Sequence, residues 1–211
     1  MTDETRVKAF LKSSVLLITI VWVSPILVLY VASTAKGTMI LDVRRWLTIR
    51  GRENYSDTIG LLFLFSTKIE FRNLFYYRLR KGNLAEAFCG KLFQIVYHPC
   101  PTLFINADYV GPGLFIQHGT CTHIGAESMG SNCWISQQVT IGHTRTLGKP
   151  ILGNNVTVTA GAKVLGSICI GDNVTVGANA VVVKDVPPNC TVVGVPAYII
   201  KRNGIKVHEQ L

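Results

Sequence analysis

The sequence is poor in charge. Charged residues make up 16% of its 211 residues, against 48% hydrophobic, and this excludes a disordered, self-repelling chain. It also lacks closely spaced cysteines. The six cysteines stand at 89, 100, 121, 133, 169 and 190, and no two form C-x-x-C. A chain of this length is far larger than a disulfide-stapled miniprotein. The remaining reading is reduced thiols filling small core positions, in a reducing cytosol. No Cys-His finger or RNA-binding signature is present, so neither nucleic acid nor a metal is an expected partner.

What charge there is sits unevenly. Residues 1–103 hold 14 Lys and Arg against 7 Asp and Glu, and residues 104–211 hold 7 against 5. The basic excess of the first half suits an anionic membrane face or a phosphate-bearing ligand. The same half carries "SSVLLITIVWVSPILVLYVASTA", Ser13 to Ala35, without a charge and bracketed by Lys12 and Lys36. As one helix it would run roughly 34 Å, enough for a bilayer core. A helix buried in an oligomer and a cleaved signal remain alternatives. Pro25 would kink the helix, so a hairpin entering and leaving on one side also fits. "RRWLTIRGR" and "KIEFRNLFYYRLRKGN" follow, with cations among aromatics. They read equally as helices at a headgroup surface or as a packed helical domain. "NLAEAFCGKLFQIVYHP" reads as a helix capped by Asn83, with Pro99 beyond its end.

After Pro101 the pattern changes. Written in sixes, residues 152–187 are "LGNNVT", "VTAGAK", "VLGSIC", "IGDNVT", "VGANAV" and "VVKDVP". Position one is always Leu, Val or Ile, and position five is always Val, Ala or Ile. Met129, Ile135 and Ile141 hold the same phase. A period of six matches neither the helical 3.6 nor plain alternation. It predicts a solenoid in which each unit is a short strand plus a turn and three units close a triangular coil. Position one then points inward and stacks into a column, with Gly and Asn at the corners. "HTRTLGKP", His143 to Pro150, breaks the period and should project as a loop.

These hexapeptides, with "ISQQVTIG" and "VVGVPAYII", resemble the left-handed parallel β-helix acyltransferases, among them serine acetyltransferase and its relatives in capsular and colanic-acid clusters. The resemblance covers about residues 103–202. It implies acetyl-CoA as donor, a homotrimer, and a histidine in the segment matching "FIQHG" as general base, here His118. A neutral imidazole can take the proton of a hydroxyl as it attacks a thioester. His143 is the second candidate for the base, or else an acceptor or coenzyme contact; His123 reads as structural. "TAGAK" and "GANAV" resemble coil edges where pantetheine lies between subunits. That makes Ala160, Gly161 and Ala178 candidate donor contacts, and Lys163, Lys184, Lys201 and Arg202 candidate partners of coenzyme A phosphates.

The sequence departs from serine acetyltransferases at two places. The aspartate expected fifteen residues before the histidine, to orient its ring, is Leu103. Asn106 and Asp108 lie nearby in another phase. The Arg-His pair expected in the loop to grip serine is Leu147 and Gly148. These departures, with the apolar N-terminus, turn the expectation towards a sugar hydroxyl of surface polysaccharide, on free or lipid-linked oligosaccharide, at the cytoplasmic face of the inner membrane. Serine O-acetylation in the cytoplasm and an inactive β-helix scaffold are the alternatives. The expected fold is an all-β left-handed parallel β-helix after an α-helical, partly membrane-seeking region. Its expected divisions are an apolar helix or hairpin at 1–40, a basic-aromatic helical region at 41–102, the β-helix at 103–199 and a tail at 200–211.

Overall fold

Helix-breaking residues set the N-terminal architecture. The computed structural model describes residue 14, residues 17–144 and residues 148–211. By contact the chain divides into one unit up to His98 and another from Pro99 on. In the first, helix α1 is described over 17–23 and stops at a turn on Ser24 and Pro25. Helix α2 (Ile26–Ala32) follows, then α3 (Lys36–Ile49), α4 (Asp57–Thr67), α5 (Ile69–Arg80) and α6 (Leu84–Val96). Pro25 thus divides the apolar run. Among the described residues no helix is long and apolar enough to cross a membrane. The expected 34 Å span is therefore not formed; Ser13, Val15 and Leu16 of that run lie outside the described residues. Val23, Ile26, Leu29 and Tyr30 are buried, while Trp22, Val28 and Val31 are exposed.

Aromatic rings fill the helical core. Trp46 meets Phe71 edge-on at 5.3 Å, and Phe65 meets Phe75 at 5.4 Å and Tyr76 at 5.9 Å. Within this core lies an ion pair, Arg78 Nε to Asp42 Oδ2 at 2.8 Å and Nη2 to Oδ1 at 3.1 Å. The bidentate geometry offsets the desolvation of both groups. Asn83 caps α6 as expected, accepting from the Glu86 amide at 2.9 Å. Glu86 is buried and also accepts from the Ser33 hydroxyl (2.8 Å), the Thr34 amide (3.0 Å) and Asn83 Nδ2 (2.9 Å). Burial alone would raise its pKa. The bonds from Thr34, Ser33 and Asn83 outweigh that and hold it below the ordinary carboxylate value.

The second unit is a parallel β-helix of about five coils. Its strands fall into three sheets. The first is ordered β1 (Leu103–Ile105), β4 (Thr122–Ile124), β7 (Thr140–Gly142), β10 (Lys163–Leu165), β13 (Val181–Val182). The second is β2 (Tyr109–Val110), β5 (Ser128–Met129), β8 (Ile151–Leu152), β11 (Cys169–Ile170). The third runs β3 (Phe115–Ile116), β6 (Trp134–Ile135), β9 (Thr157–Val158), β12 (Thr175–Val176), β14 (Cys190–Val193), and ends in the antiparallel β15 (Tyr198–Arg202) and β16 (Ile205–Gln210). The register Leu152↔Ile170, Val158↔Val176 and Val164↔Val182 is the eighteen-residue coil that the hexapeptide period requires. All six of these aliphatics are buried to 2% exposure or less, as are Met129, Ile135 and Ile141. Each such side chain contributes roughly 1.5–3 kcal/mol by leaving water.

Left-handed backbone recurs in coil after coil at the corners that follow the second and third sheets. After the second sheet stand Gly113, Asn132, Asn155, Asn173 and Asn189, with φ of 81°, 58°, 55°, 58° and 58°. Asn tolerates this region better than other non-glycine residues, and here it also bonds along the edge. Asn155 Nδ2 donates to Asn173 Oδ1 at 3.0 Å, and Asn173 Nδ2 to Asn189 Oδ1 at 2.9 Å. The cysteines correct one expectation. All six are free, but only Cys133 and Cys190 are buried, and Cys121 and Cys169 are exposed. Burial pushes the Cys133 thiol up to about 11.

Candidate active site

The corner after the third sheet carries His118, and its backbone is irregular there. From Ile116 to Ile124, both fully buried, the chain takes eight residues. The same step is six from Ile135 to Ile141, Val158 to Val164 and Val176 to Val182. The longer corner needs two left-handed residues, His118 (φ 53°) and Cys121 (φ 52°). Later corners of the edge use one each: Gln138 (58°), Gly161 (74°) and Asn179 (57°). A histidine in this region is locally strained, which is the kind of outlier that clusters at functional sites.

Neighbouring coils hold the corner rigidly. The Gln117 amide donates to the Ile135 carbonyl at 2.8 Å, and the Gln138 amide to the Thr120 carbonyl at 2.9 Å. The Cys121 amide donates to Thr102 Oγ1 at 3.1 Å, and Trp134 Nε1 to Gln117 Oε1 at 3.2 Å. The His118 side chain itself is exposed, and its ring has no hydrogen-bond partner among the described residues. None of the three residues near the missing aspartate orients it. Leu103 is buried in β1, Asn106 Nδ2 lies 3.3 Å from His123 Nε2, and Asp108 is bound to Lys149.

His143 stands elsewhere. It follows β7, so β4 and β7 of the first sheet lie between its corner and that of His118. A three-residue strand spans roughly 10 Å. His143 is exposed, with Nδ1 2.8 Å from the Thr144 carbonyl oxygen. That oxygen only accepts, so Nδ1 is the donor of this bond. Arg145, Thr146 and Leu147, and with them half of the expected serine-gripping pair, lie outside the described residues.

The donor candidates divide. Ala160, Gly161 and Ala178 occupy later corners of the His118 edge. The Gly161 amide donates to the Gln137 carbonyl at 3.0 Å, and its φ of 74° is one that L side chains rarely adopt, so this glycine has a structural reason to be one. Lys163 begins β10 beside that edge and donates to the Gln138 carbonyl at 2.6 Å. Lys184 lies past β13, at another corner, and bonds the Leu211 carbonyl. Arg202 is paired with Glu209. Sequence reasoning missed two contacts: Gln117 with Trp134, and Lys149 with Asp108. Each joins residues of different coils that no local motif links.

The coil geometry defines the class, a hexapeptide β-solenoid. No family model matches the chain. A serine acetyltransferase of Synechococcus elongatus is 52% identical over 102 residues, which are 46% of this chain and 42% of that protein. The chain thus spans less than half the length of that curated relative. The solved serine acetyltransferase of Neisseria gonorrhoeae is 30% identical, with a TM-score of 0.59 over 82% of this chain and 67% of that one, and it has also been solved with serine. That of Brucella abortus in complex with coenzyme A is 26% identical, with a TM-score of 0.56 over 80% of this chain and 69% of that one. The chain belongs to the serine acetyltransferase-like hexapeptide-repeat acyltransferases. These relatives overturn the expected sugar acceptor: they are serine enzymes, and one is solved with serine.

Proposed function

We propose that the chain transfers an acetyl group from acetyl-CoA to the hydroxyl of serine, with His118 as general base. His118 accepts the hydroxyl proton as the serine oxygen attacks the thioester carbonyl. The C–S bond then breaks, and the proton returns to the departing coenzyme A sulfur. Ala160, Gly161 and Ala178 line the pantetheine path, with Lys163 beside it and Lys184 as a more distant phosphate contact. The observation that carries this reading is the irregular corner. A longer, left-handed turn exposes an imidazole on the same edge as the small residues, in a chain matched to serine acetyltransferases.

The reading includes a homotrimer. His118 and His143 stand at different corners of one coil stack, and a subunit boundary would bring one subunit's His118 edge beside its neighbour's His143 edge. That boundary is also where the ring of His118 would find the partner it lacks among the described residues. The six free thiols and acetyl-CoA suit the cytoplasm. The test is coenzyme A thiol release with serine, for wild type and His118→Ala, with sedimentation of both. His118→Ala is expected to lose roughly 10²–10⁴ in turnover while remaining a folded trimer. Near-wild-type turnover in that variant would exclude His118 as the base. A wild-type trimer that releases no thiol with serine would leave an inactive scaffold.

A further inference from the structure

Helix α6 reverses the pattern of a helix that faces water. Its one acidic residue, Glu86, is buried, while Leu84, Phe88, Leu92 and Ile95 are exposed, Leu84 by 90% and Ile95 by 69%. Their spacing of four, four and three residues puts them along one face. The other charge of the helix, Lys91, is exposed on that face, three residues from Phe88 and four from Ile95. The α1–α2 run lies alongside. The Ser33 hydroxyl and Thr34 amide bond Glu86 near the start of α6. Tyr97, just past its end, donates its hydroxyl to the Trp22 carbonyl at 2.9 Å, with the two rings 6.2 Å apart. The two elements are therefore antiparallel neighbours. The run has its own exposed apolar residues, among them Ile18, Trp22, Val28 and Val31. Two such ridges side by side mark an interaction surface.

Cations border the ridges. Lys36 follows α2 and Lys81 precedes α6, both exposed, and the Ser33–Glu86 bond brings them to one end of the pair. Among the described residues of α1, α2 and α6 the one carboxylate is the buried Glu86. We infer that this face docks on an anionic lipid surface. The helices lie in the plane of the membrane with their apolar side chains at the headgroup–acyl boundary, and Lys36, Lys81 and Lys91 meet the lipid phosphates. Helix α2 has seven residues; lying in the plane requires an apolar flank and no spanning length. Charge selects lipid over a second copy of the unit. Residues 1–98 hold 14 Lys and Arg against 7 Asp and Glu. Three of those acids are already engaged, Asp42 by Arg78, Asp57 by Arg44 and Glu86 by Ser33. A second copy would set a like-charged unit against this one. The inference is independent of which hydroxyl the coils acetylate.

The experiment mixes the full chain with vesicles of phosphatidylcholine, alone or in equal parts with phosphatidylglycerol, and reads binding by flotation. Wild type is expected to bind the anionic vesicles at least about tenfold tighter than the neutral ones, and to weaken as salt is raised. Phe88→Ser/Ile95→Ser is expected to lose about tenfold. Lys36→Gln/Lys81→Gln/Lys91→Gln is expected to lose about 100-fold, at about fivefold for each cation near the surface. All five positions are exposed, so melting followed by circular dichroism should match wild type. Brominated acyl chains should quench part of the tryptophan emission, and Trp22→Phe should remove that part, because Trp46 is buried in the helical core. Absence of wild-type binding to anionic vesicles, equal binding to neutral ones, full binding by either multiple variant, or unaltered quenching in Trp22→Phe would overturn the proposal. So would an assembly that binds no vesicles and that Phe88→Ser/Ile95→Ser splits in sedimentation, since the face would then join copies of the chain. Thiol release with serine tests the acetylation reading separately, and its failure leaves the flotation result standing.

Discussion

The two units solve burial in opposite ways. The helical unit packs unlike side chains at unlike angles, and its centre holds a charged pair, Asp42 with Arg78. The coil unit repeats one aliphatic contact along a column and sends its polar groups to the corners. The first depends on each partner being present at once. The second divides its stability among near-equivalent coils, each meeting only its neighbours. A side chain on a coil corner is therefore insulated from the core, which the helical unit does not allow its own polar residues.

The largest expected effect sharpens that point. His118→Ala should cost about 3–5 kcal/mol of barrier and almost nothing in melting temperature, read by turnover and calorimetry on one sample. Arg78→Met should break the comparison from the other side. It leaves Asp42 buried without its partner and should destabilise the helical unit by about 4 kcal/mol, visible as faster exchange across α3 to α6 together, with the coils unchanged. Ile135→Ala opens a cavity in the column and should cost about 3 kcal/mol. Exchange should rise at β3 and β9, which pair with β6, and little at β13; a rise spread over every strand would contradict the nearest-neighbour account.

Glu86→Gln is expected to cost about 2 kcal/mol at neutral pH, because it removes a carboxylate holding several donors. The folded pKa of Glu86 is depressed. Its contribution is therefore complete above the unfolded value of about 4.3, and is lost as pH falls through the folded one. Acid titration of stability should be shallower in the variant, and parallel curves would reject the assignment. The smallest effect is Asn173→Gly. It keeps the left-handed corner but cuts the side-chain bonds to Asn155 and Asn189, for about 1 kcal/mol by denaturant melting.

The same contrast explains what was legible in the sequence. The β-helix was, because a period of six maps every aliphatic onto one column and its corners take Gly and Asn. The candidate base His118 stood out through its motif, but the shape of its corner did not. The eight-residue step hides among aliphatics whose phase drifts before Met129. Asp108 with Lys149 is invisible locally, since 41 residues separate the partners. In the helical unit an apolar run such as Ser13–Ala35 reads alike for a lipid-facing helix and for one packed on protein. Pro25 carried the useful signal, by dividing it. The Asp42–Arg78 pair, 36 residues apart, has no periodic trace at all.

The reversal at the end of the third sheet has a consequence for assembly. Interior strands of that sheet run parallel from β3 to β14, and then β15 and β16 turn back against them. A coil stack is a one-dimensional polymer whose last monomer presents the template for the next. An antiparallel hairpin is a chain terminator for such growth, because the backbone groups it presents no longer match an incoming parallel coil. Without that hairpin the third sheet would stay a living end, and neighbouring molecules could add to it in register.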